Sequence, residues 1–200
     1  MGWPGPCIVR ASLADQALPG LAIALGANLP SPAGPPLATL LAVRPLLTAR
    51  LAGLGGPPRW SPLFRTAPVG GPPEQPDYLN AVVLVAAATP ADAAAALDLL
   101  SRLQELERRF GRERREPWGP RSLDLDLLWW GALRCRSEAL VLPHPRLLER
   151  SFVLAPLAAI DSDLMPPGAD AGAAALLAPL MVGSAAAAPT RLAGRPGWPE

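Results

Sequence analysis

The stretch Pro117–Gly131, PWGPRSLDLDLLWWG, reads as a strand with two chemically different faces. From Ser122 to Trp130, Leu123, Leu125 and Leu127 point one way into a core, and Asp124 and Asp126 point the other. A bare carboxylate in a buried strand is costly, because desolvating a charge outweighs what burying a leucine gains. Two of them on one face, about 7 Å apart by the rise of a strand, repel unless a cation or an arginine stands between them. Two ordinary acids on a solvated face are the competing reading.

The segments around this strand set the fold class. Leu21–Leu25 reads as a short buried strand ending at Gly26. A helix is expected from near Pro36 to the glycines that follow Ala52, with Pro45 kinking or splitting it. Arg59–Thr66 reads as a strand in which Pro62 marks an edge or a bulge. Leu79–Thr89 carries the highest β-branched content. The next helix has Thr89 as its cap, Pro90 at its first position and Asp92 at the positive end of its dipole. Leu99, Leu103, Leu106 and Phe110 form its apolar stripe, and Gly111 stops it. The order β-α-β-β-α-β is the split βαβ pattern of a ferredoxin-like α/β sandwich, of class α+β, an antiparallel sheet with helices on one face. Residues 1–20 are expected to be an N-terminal extension, 21–167 the domain, and 168–200 an Ala/Gly/Pro-rich tail with a mobile end.

Bulk composition narrows the function. Half of the 200 residues are hydrophobic, 18% are charged and the net charge is +1, which suits one globular domain and argues against nucleic-acid binding by a broad basic surface. All 18 basic residues are arginine, so a phosphate loop that depends on lysine is excluded. Cys7 and Cys135 are far apart and form no CxxC, so neither a zinc site nor a disulfide framework is expected. With no signal-peptide pattern and no long apolar run, the chain is expected to be cytoplasmic and free of the membrane.

Chemistry clusters around the two aspartates. Arg121 follows a rigid WGP turn, and Arg112, Arg114 and Arg115 lie in the preceding loop. An arginine loop beside paired carboxylates suits phosphoryl transfer, where positioning and charge neutralisation do most of the work, although a solvated charge run has the same composition. Magnesium prefers such oxygen ligands, completed by substrate phosphates. His144, the sole histidine, has Arg146 and Arg150 close by, yet a histidine between prolines is often structural. Tyr78 and Asn80 share a strand face and suit a flat heterocycle, or simply a core tyrosine. Trp129 and Trp130 read as packing.

The segments AIALGANL, FRTAPVG, PDYLNAVV, LQELERRFGR, WGPRSLDLDLLWWG and LPHPRLLERSFVLAPL occur in this order between about residues 21 and 160. Together they resemble the 6-hydroxymethyl-7,8-dihydropterin pyrophosphokinase family of folate biosynthesis. The resemblance implies transfer of pyrophosphate from ATP to the pterin hydroxymethyl group with release of AMP. It also implies two Mg2+ ions held by Asp124 and Asp126. It implies pterin contacts from Tyr78, Phe152, Asn80, Thr66 and Val69, with Trp118 closing over the site. Gln104, Glu107, Arg121, His144 and Arg150 are implied to contact ATP, and Arg112 and Arg114 to assist transfer. A monomer acting on small molecules, with no nucleic acid and no membrane, is the matching expectation. Pro117 stands where the family usually has a basic residue, Ala139 where some members have arginine, and GAN replaces the more frequent GSN. A ferredoxin-like binding module without catalysis and another DxD transferase are the rival readings. The first has no need of two aspartates on one face, and the second leaves the aromatics of PDYLN and RSF unexplained.

Overall fold

The computed structural model describes residues 20–86, 91–113, 119–182 and 188–199. The chain runs β1 (Leu21–Ala27), α1 (Pro36–Leu51), β2 (Arg59–Trp60), β3 (Leu63–Thr66), β4 (Tyr78–Val85), α2 (Ala93–Arg109) and β5 (Asp124–Trp130). A small hairpin follows, β6 (Cys135–Arg136) and β7 (Val141–Leu142), then α3 (Ser151–Ile160), α4 (Ala173–Met181) and β8 (Thr190–Leu192). The main sheet has the order β5-β1-β4-β3-β8, with β2 also pairing β4. Its pairings are antiparallel. With β2 and β3 taken as one strand interrupted at Ser61 and Pro62, the first seven elements form the expected ferredoxin-like sandwich.

Alternation along the strands builds a core on each side of the sheet. Leu21, Ile23 and Leu25 of β1 pack with Ala81, Val83 and Val85 of β4 and with the buried faces of α1 and α2. The stripe Leu99, Leu103, Leu106 and Phe110 is buried there, each side chain worth roughly 1.5–3 kcal/mol. The opposite face carries Ala22, Val82, Leu84, Leu128 and Trp129 under Val153, Leu154 and Leu157 of α3 and under α4. Helices therefore cover both faces, where one covered face was expected.

Other departures have local causes. The register of β1 with β5 shifts between Ala22 and Ile23, so Leu128 and Trp129 both join the second core and Trp130 returns to the first. A bulge of this kind adds one residue to a strand and breaks strict alternation. Pro45 lies inside α1 without splitting it. The lost hydrogen bond is offset by burial of Leu40, Val43, Leu47 and Leu51 along the helix. Asp92 is the N-cap of α2 and accepts from the Ala95 N–H at 2.7 Å; Thr89 and Pro90 lie outside the described residues. Cys135 is disulfide-bonded, against the expectation drawn from the spacing of the two cysteines.

The segment expected to be a tail packs on the domain. α4 lies on α3, and β8 adds to the free edge of β3 through Leu63↔Leu192, Phe64↔Arg191 and Arg65↔Thr190. Trp198 is buried, meets Trp60 edge to face at 5.5 Å, and donates its indole N–H to Ser61 O at 2.8 Å. Among the described residues, no helix is long and apolar enough to cross a membrane.

Candidate active site

The second face of the sheet is covered at one end and open at the other. Along β1 that face carries Ala22, Ala24 and Gly26, and α3 packs over the Ala22 end. Gly26 pairs with Asn80 on one side and Asp124 on the other; Ala24 pairs with Val82 and Asp126. A Cβ at Gly26 would sit 3.1 Å from Asn80 Oδ1, so glycine is what lets the cleft floor lie this close to the amide. The result is a cleft of about 200 Å³ lined by strand residues and by the segments that follow β3, α2 and β7.

One wall is neutral and flat. Asn80 Nδ2 donates to Thr66 Oγ1 at 2.7 Å, with both residues buried. This fixes the amide and leaves Asn80 Oδ1 above Gly26 as an acceptor and the Thr66 hydroxyl as a donor. Tyr78 donates its hydroxyl to Gly119 O at 3.2 Å. Burial raises its pKa, so it stays a donor. Phe152, at the start of α3, lies 5.4 Å from the Arg150 guanidinium. Val69, on the loop after β3, lines the cleft and is largely exposed.

The other wall is charged. Arg121 donates to Asp124 Oδ2 at 2.7 Å. Arg112 pairs with Asp124 Oδ1 and also with Glu107. Glu107 Oε1 in turn accepts the backbone N–H of Leu125 at 2.9 Å, so this buried acid ties α2 to β5. Arg150 lies 3.3 Å from Asp126 Oδ2 and 3.5 Å from His144 Nε2. Burial, and then the charge of Asp124, push the Asp126 carboxyl up to about 6, against the pull of Arg150 and Arg112. Burial and the Arg150 guanidinium lower His144 to about 4, so its ring is neutral near pH 7. His144 Nδ1 accepts the Arg146 N–H at 3.2 Å, which leaves the ring proton on Nε2 beside Arg150. Two donors side by side are suited to an anionic oxygen.

The structure thus brings Thr66, Val69, Tyr78, Asn80, Arg112, Arg121, Asp124, Asp126, His144, Arg150 and Phe152 to one cleft, together with Arg146. Gln104, half-buried on α2, and Glu107 do not line it. Arg114 and Trp118 lie outside the described residues. Sequence reasoning missed Gly26 as the floor and Asn28 as a buried clamp beside it; an amide directly after a strand end was the available signal. Among the described residues, no cluster of three or more His, Cys, Asp or Glu side chains could hold a metal. Asp124 and Asp126 both open into the cleft, the first paired with Arg112 and Arg121 and the second with Arg150, and carboxylate oxygens are the ligand type that a hard cation takes.

The family described as 7,8-dihydro-6-hydroxymethylpterin-pyrophosphokinase (HPPK) matches residues 22–162. The chain is 38% identical over 145 residues to the 2-amino-4-hydroxy-6-hydroxymethyldihydropteridine pyrophosphokinase of Haemophilus influenzae, covering 72% of this chain and 83% of that protein. It is 40% identical over 145 residues to the protein of the same name from Pseudomonas aeruginosa, covering 72% and 82%. Among solved structures, it resembles the Plasmodium falciparum HPPK-DHPS wild type with pteroate at a TM-score of 0.55 and 12% identity. That match covers 80% of this chain but only 42% of the longer Plasmodium chain, and it is a likeness of fold. By the extent of the family match and its identity to the bacterial enzymes, the chain belongs to the 7,8-dihydro-6-hydroxymethylpterin-pyrophosphokinase family.

Proposed function

We propose that the chain transfers the β,γ-pyrophosphoryl unit of ATP to the hydroxymethyl oxygen of 6-hydroxymethyl-7,8-dihydropterin, giving the pterin diphosphate and AMP in folate biosynthesis. The observation that carries this reading is the two-walled cleft, with a neutral slot for a flat heterocycle beside a paired-carboxylate and arginine wall. In the reaction, the pterin oxygen forms a bond to the β-phosphorus, the bond from that phosphorus to the oxygen of AMP breaks, and the hydroxyl proton departs.

Tyr78 and Phe152 offer ring faces to the pterin, Val69 an apolar contact from its loop, and Asn80 and Thr66 an acceptor and a donor for its edge. Arg112, Arg121 and Arg150 supply charge for the triphosphate, and His144 supplies a neutral N–H from Nε2. Asp124 and Asp126 would hold Mg2+, with two ions as the expected number. When bound, the metal neutralises phosphate charge and favours the hydroxyl as nucleophile. To hold the metal, Asp124 would have to be released by Arg112 and Arg121, which would free both guanidinium groups for phosphate. Glu107 is read as the holder of Arg112 and β5, in place of an ATP contact. Gln104 keeps the ATP contact, Arg114 the assisting role and Trp118 the closing role that the resemblance implies. The chain is read as a monomer in the cytoplasm, the compartment that supplies ATP, and the Cys135 disulfide is the observation that speaks against that compartment.

Asp126→Ala tests the metal assignment. It removes a side chain that faces the cleft, so turnover is lost while the circular dichroism spectrum is kept and the unfolding midpoint does not fall. Turnover near the wild-type rate in this variant would remove Asp126 from the metal site.

A further inference from the structure

Asn28 does not line the cleft, yet it is 3% exposed and both ends of its amide are used. Its Oδ1 accepts the backbone N–H of Arg121 at 2.8 Å, and its Nδ2 donates to Pro76 O at 3.0 Å. The backbone N–H groups of Asn28 and Leu29 both donate to Arg121 O, at 3.0 and 3.1 Å. The peptide groups on either side of the Arg121 Cα are therefore pinned to the end of β1. Pro76 stands two residues before Tyr78, on the neutral wall of the cleft. A second bridge joins the same two segments, because the Tyr78 hydroxyl donates to Gly119 O at 3.2 Å and lies 3.5 Å from Gln75 Oε1. Neither 75–78 nor 119–121 pairs with the other through a strand ladder, so these side-chain bonds set their separation.

We propose that Asn28 is a positioning residue of the reaction, fixing the Arg121 main chain and the start of β4 relative to each other so that the two substrates meet in register. This rests on the function proposed above. Each wall keeps its own ligand contacts without Asn28, since Thr66, Asn80, Asp124 and Asp126 are held by the sheet. What is lost is the placement of one wall against the other. Misplacement on the order of 1 Å between reacting groups costs about 100-fold in rate.

Two substitutions separate the halves of the clamp. Asn28→Asp keeps the acceptor for the Arg121 N–H and sets a carboxylate oxygen against Pro76 O, breaking only the link to the neutral wall. Asn28→Ala breaks both links. The readouts are kcat, the dissociation constants of a non-hydrolysable ATP analogue and of the pterin measured singly, and the fraction folded. The inference predicts that Asn28→Asp lowers kcat per folded molecule by about 10- to 100-fold while each single-ligand constant stays within about threefold of wild type. Asn28→Ala lowers kcat at least as far, because the Arg121 N–H also loses its acceptor and only the backbone bonds to Arg121 O remain. If Asn28→Ala fails to fold, the near-isosteric Asn28→Asp decides alone. A kcat for Asn28→Asp within twofold of an active wild type overturns this inference and leaves the functional reading standing. A wild type that forms no AMP with the pterin overturns the functional reading, and the inference with it.

Discussion

Thr66→Val removes one hydroxyl and almost no volume, and its effect can be worked from a single bond. Asn80 Nδ2 donates to Thr66 Oγ1 at 2.7 Å, and the two residues are 5% and 4% exposed. Valine cannot accept, so the amide donor is left buried without a partner, at a cost of about 1–3 kcal/mol. In a chain of this size each kcal/mol moves the midpoint by roughly 2–4 °C, so the unfolding midpoint falls by about 2–12 °C. The same change releases the amide, whose Oδ1 above Gly26 is the acceptor offered to the pterin edge, and deletes the hydroxyl donor beside it. Loss of another 1–2 kcal/mol on binding weakens the pterin by about 5- to 30-fold. ATP binding is unchanged, because the arginines and aspartates of the other wall do not touch Thr66. Thr66→Ser restores both quantities. Scanning calorimetry gives the midpoint, and titration of the pterin and of an ATP analogue gives the affinities. An unchanged midpoint with pterin affinity within twofold of wild type, or equal losses for pterin and nucleotide, would refute the reasoning.

Two further tests address charge and the C-terminal segment. The Asp126 carboxyl titrates near about 6, above the ordinary aspartate range, so the fold favours its protonated form. Its contribution to stability is full below about pH 4 and is lost as the pH rises through about 6. Asp126→Asn is therefore expected to raise the midpoint of the metal-free protein at pH 7–8, with the gain vanishing toward pH 4; a gain confined to low pH would reverse the assignment. Trp198→Ala removes a buried ring that meets Trp60 and donates to Ser61 O. The expected cost is about 3–5 kcal/mol, a fall of roughly 6–20 °C in the midpoint read by calorimetry. A shift under about 2 °C would mean that the end of the chain is not part of the fold.

Much of this site could be read before any coordinates. The alternation of Leu123, Leu125 and Leu127 with Asp124 and Asp126 is a property of the strand itself, and the first core and the carboxylate face follow from it. The helix stripe on α2 was legible for the same reason. Features that depend on distant partners were not. The bulge at Leu128 answers to the packing of both sheet faces. The α4 cover and the β8 edge come from an Ala/Gly/Pro-rich segment whose local signal is weak. Asp92 took the capping position that Thr89 seemed placed to fill, three residues upstream, because helix ends are set by which carboxylate or hydroxyl reaches the first free N–H groups. The tie that Glu107 makes to Arg112 and to the Leu125 N–H was not legible, since only the folded chain brings α2 against them. Asn28 was invisible as a clamp because its partners lie 48 and 93 residues away.

The most direct measurement is AMP release from ATP and magnesium by the purified chain, with and without 6-hydroxymethyl-7,8-dihydropterin. The account predicts AMP only when the pterin is present, in equal amount to the pterin diphosphate formed. Binding of both ligands with no AMP, or AMP formed at the same rate without the pterin, would contradict it.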